Sequence, residues 1–486
     1  MQVGTTLLFF ITMCGCIMNL DLSPLRQPSD GESEIQDAPR GDGDGVTDGE
    51  NEEADAAAPA WWARSYGGTS DDEAAAVEAG EAGEIIVAGD SLSFDTGSAA
   101  IWTLMLDGRG AIVWQAALHR DLTQRAHDVI KARDGGYLLA GDAETVITGT
   151  RHLWILKLKG DGQIDWELVS GRSEADVPAA VRQTSDGGYI AAGQTEPSAG
   201  SEADLLVVKL GESGELYWAK SLGSTGSDQG LAVDQISGGG YVVAGRSSSF
   251  GSGDDDAWII RLQADGNGVW QKRCGGPGDD TASSVLQTQG GSTIVAGTTW
   301  SSGAGGADFW VFEIDSGGAV TWQRTYGGPG SDEALSIAPT QDGGAVVAGS
   351  SDSWGTGSGD TNALVLKLDE GGTVAWAKTY GGSGADLASA VTPSADGGYI
   401  LAGRTTSYGA GGSDFWVLRI DGEGNIPGSC PPGFIKAVEP QTEPSAVTPL
   451  QTNVAVVDVT GEMVRDTPNG STSLTDGLVD EQCSGP

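Results

Sequence analysis

The chain has 486 residues, with 68 acidic against 26 basic side chains and a formal net charge of -42. That charge repels nucleic-acid phosphates and an anionic membrane surface alike, and it leaves cations, sugars or a basic protein as partners. The 78 glycines follow no Gly-x-y period, which excludes a collagen helix, and 38% hydrophobic residues suffice for a core of strands packed on both faces.

The first feature is the apolar run Leu7 to Met13. It is too short to span a bilayer and suits the hydrophobic region of a signal peptide. The following Met13-Cys14-Gly15-Cys16 resembles the cleavage box of bacterial lipoproteins. That resemblance implies a signal peptide over residues 1–16, a lipid on Cys16, and residence at the outer membrane or cell surface, with secretion as the alternative. Export opens a disulfide-permissive compartment. No later stretch is long and apolar enough for a transmembrane helix.

Residues 17–60 are rich in Asp, Glu, Gly and Pro and nearly devoid of large apolar side chains, so a disordered acidic tether is expected. Within it, Asp42, Asp44 and Asp48 resemble half of a thrombospondin-type calcium loop, which implies calcium as the one cofactor in view.

From residue 61 the sequence repeats. Trp recurs at 62, 114, 166, 218, 270, 322 and 376, at spacings of 52 five times and then 54. An Ala-Gly pair recurs with its glycine at 89, 141, 193, 245, 297, 349 and 403, and another glycine at 110, 162, 214, 266, 318, 372 and 424. Each unit reads as four strands, as in the unit from Trp218: Leu231 to Ile236, Tyr241 to Gly245, Ala257 to Leu262, and a strand near Trp270. Asp-Gly-Gly or Gly-Gly-Gly separates the first two strands and supplies the positive φ of a tight hairpin. Four antiparallel strands at this period predict an all-β fold, a seven-bladed β-propeller over residues 61–426. The first Trp strand precedes any first strand, and no Trp follows the last third strand, Trp416 to Ile420. The N-terminal strand should therefore complete blade seven and close the ring.

Residues Tyr380 to Trp416 carry Tyr-Gly-Gly, Asp-Gly-Gly-Tyr-Ile-x-Ala-Gly and Asp-x-Trp in succession. The chain from Trp62 to about Ile426 resembles the β-propeller repeat proteins secreted by bacteria and archaea. The resemblance implies the propeller fold and export, and little about function.

The tail, 427–486, differs in composition and holds Cys430 and Cys483, whose bridge would enclose it. Such a loop is worth roughly 4 kcal/mol. Cys274 occupies the position of Tyr66, Tyr326 and Tyr380 and should be a small buried apolar residue.

Strand direction puts the long second-to-third loops and the inter-blade loops on one face, where function tends to sit. Two acidic rings fall there: Asp72, Asp176, Asp228, Asp280, Asp332 and Asp386 (Gln124 in the remaining unit), and Asp204, Asp256, Asp308 and Asp414 (with Asn362, His152 and Ala100). Either they bind a cation or polar ligand, or each accepts hydrogen bonds from its own loop. Their repetition favours the second. Phe94, Phe250, Trp354 and Tyr408 share one loop position and Trp300 sits nearby, so these five are the candidate ligand-binding residues, or else wedges between blades. All three histidines, His119, His127 and His152, fall in the most degenerate units beside Arg120 and Arg151. The sequence lacks Gly-x-Ser-x-Gly, a Walker A loop and Cys-x-x-Cys. No catalytic residue is assigned. The expectation is a monomeric, non-catalytic surface propeller that binds or scaffolds a protein or carbohydrate. The alternatives are a polysaccharide hydrolase or lyase using loop carboxylates, and an adhesin or lectin that uses the aromatics, with or without calcium.

Overall fold

The computed structural model describes residues 61–439 apart from loop residues 95–97, 120–122, 145–149, 171–174, 197–200, 250–254, 356–359, 428–429 and 431–433, together with the backbone of short strands between 441 and 484. Cys16, Asp42, Asp44, Asp48, Arg120 and Phe250 lie outside the described residues.

Among the described residues all regular structure is β, arranged in seven antiparallel sheets. Blade one runs outward from β2 (Asp72–Ala79) through β3 (Ile85–Ser91) and β4 (Ala100–Leu106) to β5 (Ile112–His119). The inner strands of the other blades are β6 (Gln124–Lys131), β10 (Asp176–Gln183), β14 (Asp228–Gln235), β18 (Asp280–Gln287), β22 (Asp332–Pro339) and β26 (Asp386–Pro393). All seven line one axial channel. Blade seven continues through β27 (Tyr399–Thr405) and β28 (Asp414–Ile420) to β1 (Trp62–Gly67), in register from Trp62 opposite Arg419 to Tyr66 opposite Phe415. The N-terminal strand closes the ring, as the Trp pattern requires.

Each recurrent residue has a local cause. The glycine of every third-to-fourth turn has positive φ, from +74° at Gly424 to +86° at Gly318. A Cβ there would meet the fourth-strand Trp of the preceding blade, 2.9 Å away for Gly110 and Trp62, and 2.7 Å for Gly214 and Trp166. The indoles of Trp62, Trp114, Trp270 and Trp376 also donate to a turn carbonyl, Trp62 Nε1 to Gly108 O at 3.2 Å and Trp376 Nε1 to Gly422 O at 3.0 Å. The Trp ring rests near the next blade's Tyr, with centroids 5.9 Å apart for Trp166 and Tyr189. Trp and glycine therefore form one clasp between neighbouring blades. The Ala-Gly glycine answers a different need. Inner strands bulge, with a register shift between Gly230 and Ala232 in β14, and a Cβ on Gly245 would lie 1.8 Å from Gln229 O. The bulge brings two consecutive residues of a strand to the channel wall, such as His127 with Asp128 and Ser283 with Ser284.

The tail does not stand apart. After β28 the chain forms β29 (Ile435–Ala437) on β25 (Val374–Tyr380), the outer strand of blade six. It then adds β30 (Gln441–Pro444), β31 (Thr448–Gln451), β32 (Val456–Asp458), β33 (Met463–Val464), β34 (Ser471–Ser473) and β35 (Leu478–Ser484). These pair in turn with β21 (Val320–Gly327), β17 (Gly268–Gly275), β13 (Leu216–Leu222), β9 (Ile164–Ser170), β5 and β1. The tail retraces the ring from blade six back to blade one and ends on blade seven, and each blade gains a fifth, outermost strand. The expected Cys430–Cys483 bridge falls on a side chain, that of Cys483, outside the described residues. Its backbone pairs with Ala63 in blade seven, and Cys430 packs against the core cluster that contains Ala63. Cys274 is fully buried, and burial pushes its thiol up to about 12, so it serves as an apolar filler.

Candidate ligand-binding channel

The first acidic ring is structural in the blades where its contacts are described. Asp72 opens β2 with no exposed surface and accepts from Gly68 N at 2.8 Å, from Ser93 Oγ at 2.7 Å and from Ser91 Oγ. Asp386 repeats the pattern with Gly382 N at 2.7 Å, Ser407 Oγ at 2.6 Å and Thr405 Oγ1. These aspartates pin the inter-blade loop to the end of β3 or its equivalent.

The second ring faces the first. A Cβ on Gly327 would lie against both Asp308 and Asp332, and the two carboxylates crowd one another. Burial, reinforced by the charge of Asp332, pushes Asp308 up to about 7 from 3.8. A carboxyl raised on folding contributes stability that is fully present below about pH 4 and is lost as pH rises through 7. Blade six already carries Asn362 in this place, beside Asp386. Asp308→Asn should therefore melt about 3 °C above the wild type at pH 8, with the gap gone at pH 4. A gap of equal size at both pH values would refute the carboxylate repulsion.

The candidate aromatics separate into two kinds. Phe94 is 7% exposed and packs edge-on against Trp102 at 5.3 Å. Trp354 is half-buried against the core cluster that includes Tyr326. Tyr408 donates to Gly381 O at 3.1 Å and rests 5.5 Å from Phe434 of the tail. Trp300 alone among these four stands out from the surface, 53% exposed.

Sevenfold repetition breaks most clearly along the channel, a cavity of about 570 Å³. Glu78, Arg182 and Asp234 hold the same seventh position of β2, β10 and β14, where other inner strands carry Ile130, Leu286, Ala338 and Thr392. Arg182 Nη1 bonds Asp128 Oδ2 at 2.6 Å. Burial pushes Glu78 up to about 7, with Arg182 opposing and Asp128 adding to the shift.

At the long-loop mouth the channel meets a second pocket of about 330 Å³ between blades seven, one and two. His127 lines both. Its Nε2 lies 2.5 Å from Asp142 Oδ1, and Arg151 Nε donates to Asp142 Oδ2 at 2.7 Å. Burial works to raise Asp142, but the bonds from His127 and Arg151 outweigh it and hold the carboxyl below its ordinary range. Asp90 behaves oppositely. Burial pushes it up to about 6 against the pull of His127 and Arg125. Arg404 from blade seven pairs with Glu73 of blade one.

Of the three histidines, His127 faces the channel. His152 is buried at the start of β8 (Arg151–Leu158), where four other units carry Asp, and His119 ends β5. Asp90, Asp142 and Arg404 share one repeat position with Gln194, Arg246, Thr298 and Ser350, and Arg125 shares another with Glu73 and Leu387, so a search for residues common to every unit passes over them. Variation at the second residue of each inner strand, from Glu73 through Arg125 to Leu387, was the available signal.

No family model matches the chain. The regulatory protein FlaEY of Caulobacter vibrioides is 29% identical over 177 residues, which span 31% of this chain and 18% of that protein, so the match covers about a fifth of the relative's length. Among solved structures, Sqt1 from Chaetomium thermophilum is 13% identical with a TM-score of 0.43, over 77% of this chain and 88% of that one. An α-L-arabinanase of Penicillium chrysogenum is 9% identical with a TM-score of 0.39, over 74% and 93%. A puromycin hydrolase is 14% identical with a TM-score of 0.43, over 73% and 52%. At these scores the likenesses carry no argument about what the channel does.

Proposed function

We propose that the protein is an exported, lipid-anchored, non-catalytic binding propeller that receives its ligand at the long-loop mouth of the axial channel. The carrying observation is the break in symmetry. Loop aspartates and Trp–Gly clasps repeat around the ring because they build it, whereas Glu73, Asp90, Arg125 and Arg404 stand at positions whose residue varies from blade to blade and bring charge of both signs to one mouth. The lipid on Cys16 and the tether would hold that mouth away from the membrane, and the reading needs neither a metal nor a second subunit.

Ser389, a channel-facing residue of β26, lines both the channel and the mouth pocket. Ser389→Trp should plug the mouth. A ligand found on a glycan or peptide array should lose at least tenfold in affinity, while the melting temperature moves by less than about 3 °C. Unchanged binding would place the site elsewhere, at Trp300 first. Release of reducing ends from a polysaccharide, abolished by Asp90→Asn, would replace the binding role with hydrolysis or elimination.

A further inference from the structure

We propose that the pocket between blades seven, one and two is a site for a hydroxylated carboxylate, a sugar acid of the uronate class, held by Arg125 and Arg404 with His127, Glu73 and Asp90. The assignment rests on the mouth-binding reading above and names its ligand.

A chain with a net charge of -42 repels anions from most of its surface, so an anion site needs local cations. Two of the 26 basic residues line this one small pocket, brought there from blades two and seven. Arg125 has a side chain 48% exposed and lies 4.0 Å from Asp90, beyond hydrogen-bond reach. It donates to no described residue, so its planar fork of donors is open. Arg404 spends Nη1 on Glu73, and its Nε finds no acceptor. Guanidinium forks match the two oxygens of a carboxylate.

The rest of the wall decides what that carboxylate is attached to. Glu73 and Asp90 offset the two arginines, so the pocket is charge-balanced and a dianionic phosphate would face two carboxylates at close range. A monoanion that also carries hydroxyls meets both kinds of group. Its carboxylate takes the arginines and its hydroxyls donate to Glu73 and Asp90. His127, anchored by the contact of its Nε2 with Asp142, forms part of the pocket wall. The volume of about 330 Å³ lies at the lower end of small-molecule pockets, about 300–1,000 Å³, and suits one or two sugar rings. Asp90, facing Glu73, Arg125 and His127, is raised to about 6, so it remains an acceptor at neutral pH.

The test is calorimetric titration of the full chain at pH 7 with galacturonate, glucuronate and mannuronate, each beside its neutral parent sugar. At least one uronate should bind tenfold or more tightly than its parent. Arg125→Ala and Arg404→Ala should each remove at least tenfold of that affinity. Arg125 makes no hydrogen bond to a described residue, so Arg125→Ala should fold normally, and its melting temperature verifies this. Two results overturn the assignment: no uronate preferred over its parent, or uronate affinity intact in Arg125→Ala. The plug variant Ser389→Trp separates this failure from failure of the broader reading. Uronate binding lost in the plug but kept in Arg125→Ala retains the mouth and discards the carboxylate contact. Uronate binding kept in the plug discards both.

Discussion

A chain that begins at residue 68 should fail to give a stable fold at 37 °C, whereas one that begins at residue 61 should melt with the full-length protein. The difference is β1. In blade seven it is an interior strand, bonded to β28 on one side and to β35 on the other. Trp62 and Tyr66 are 1% and 0% exposed. Losing a buried aromatic of this size costs about 3–5 kcal/mol, so the pair approaches the roughly 5–15 kcal/mol by which a domain is stable at all. The strand also clasps blade one, through Trp62 Nε1 on Gly108 O and Tyr66 Oη on Gly110 O at 2.7 Å. Blade seven would lose its fourth strand and the ring its fastening in one step. A synthetic peptide spanning residues 61–67, added in trans, should restore part of the melting transition. Equal melting temperatures for the two truncations, with no response to the peptide, would refute closure by this strand.

The closure was legible because it follows from counting. Seven Trp strands, the first ahead of any inner strand, leave one arrangement without a bare edge. The clasp was half legible: Trp62 and Gly110 each recur at the same period, but that one presses on the other is a fact of the ring, since neighbours across blades lie about fifty positions apart. The mouth was hidden for a related reason. Arg125 and Arg404 are 279 residues apart and meet only because blade seven lies beside blade one, with blade two next in order. Whether a residue of an inner strand faces the axis also depends on the bulge beside Gly89 and its equivalents, which shifts the alternation midway along the strand. Phe94 and Tyr408 carry the opposite lesson. Aromatics in glycine-rich loops read either as exposed ligand contacts or as wedges between blades, and the packing of Phe94 on Trp102 and of Tyr408 near Phe434 encloses these two.

The tail was the least legible part, and it carries the other large expected effect. Most tail strands have only two to four residues, such as Met463–Val464, too few to show alternation, and the partners of the tail strands lie on seven different blades. A propeller whose blades end at their fourth strands presents a row of unpaired N–H and C=O groups on each, a template for pairing with another chain. Here the tail covers all seven rows in one pass. Cutting the chain after Glu439 keeps Phe434 and Val438, which are 1% and 9% exposed in the core, and keeps β29 on blade six. It removes β30 to β35 and so bares the outer strand of six blades. The inner four strands of every blade remain, so the circular dichroism spectrum should stay that of a β protein. Self-association should appear at concentrations of order 10 μM, where partly unpaired β proteins begin to aggregate, while the full chain stays monomeric. Light scattering across that range decides it. A truncated chain that remains monomeric and keeps the full-length melting temperature would mean that the outer strands neither protect the edges nor hold the blades. Association that is abolished when Lys replaces an edge residue such as His119 of β5, which pairs with Ser471 of the tail, would locate the new contact on the uncovered strands. A charged side chain there restores the edge protection that the tail otherwise supplies.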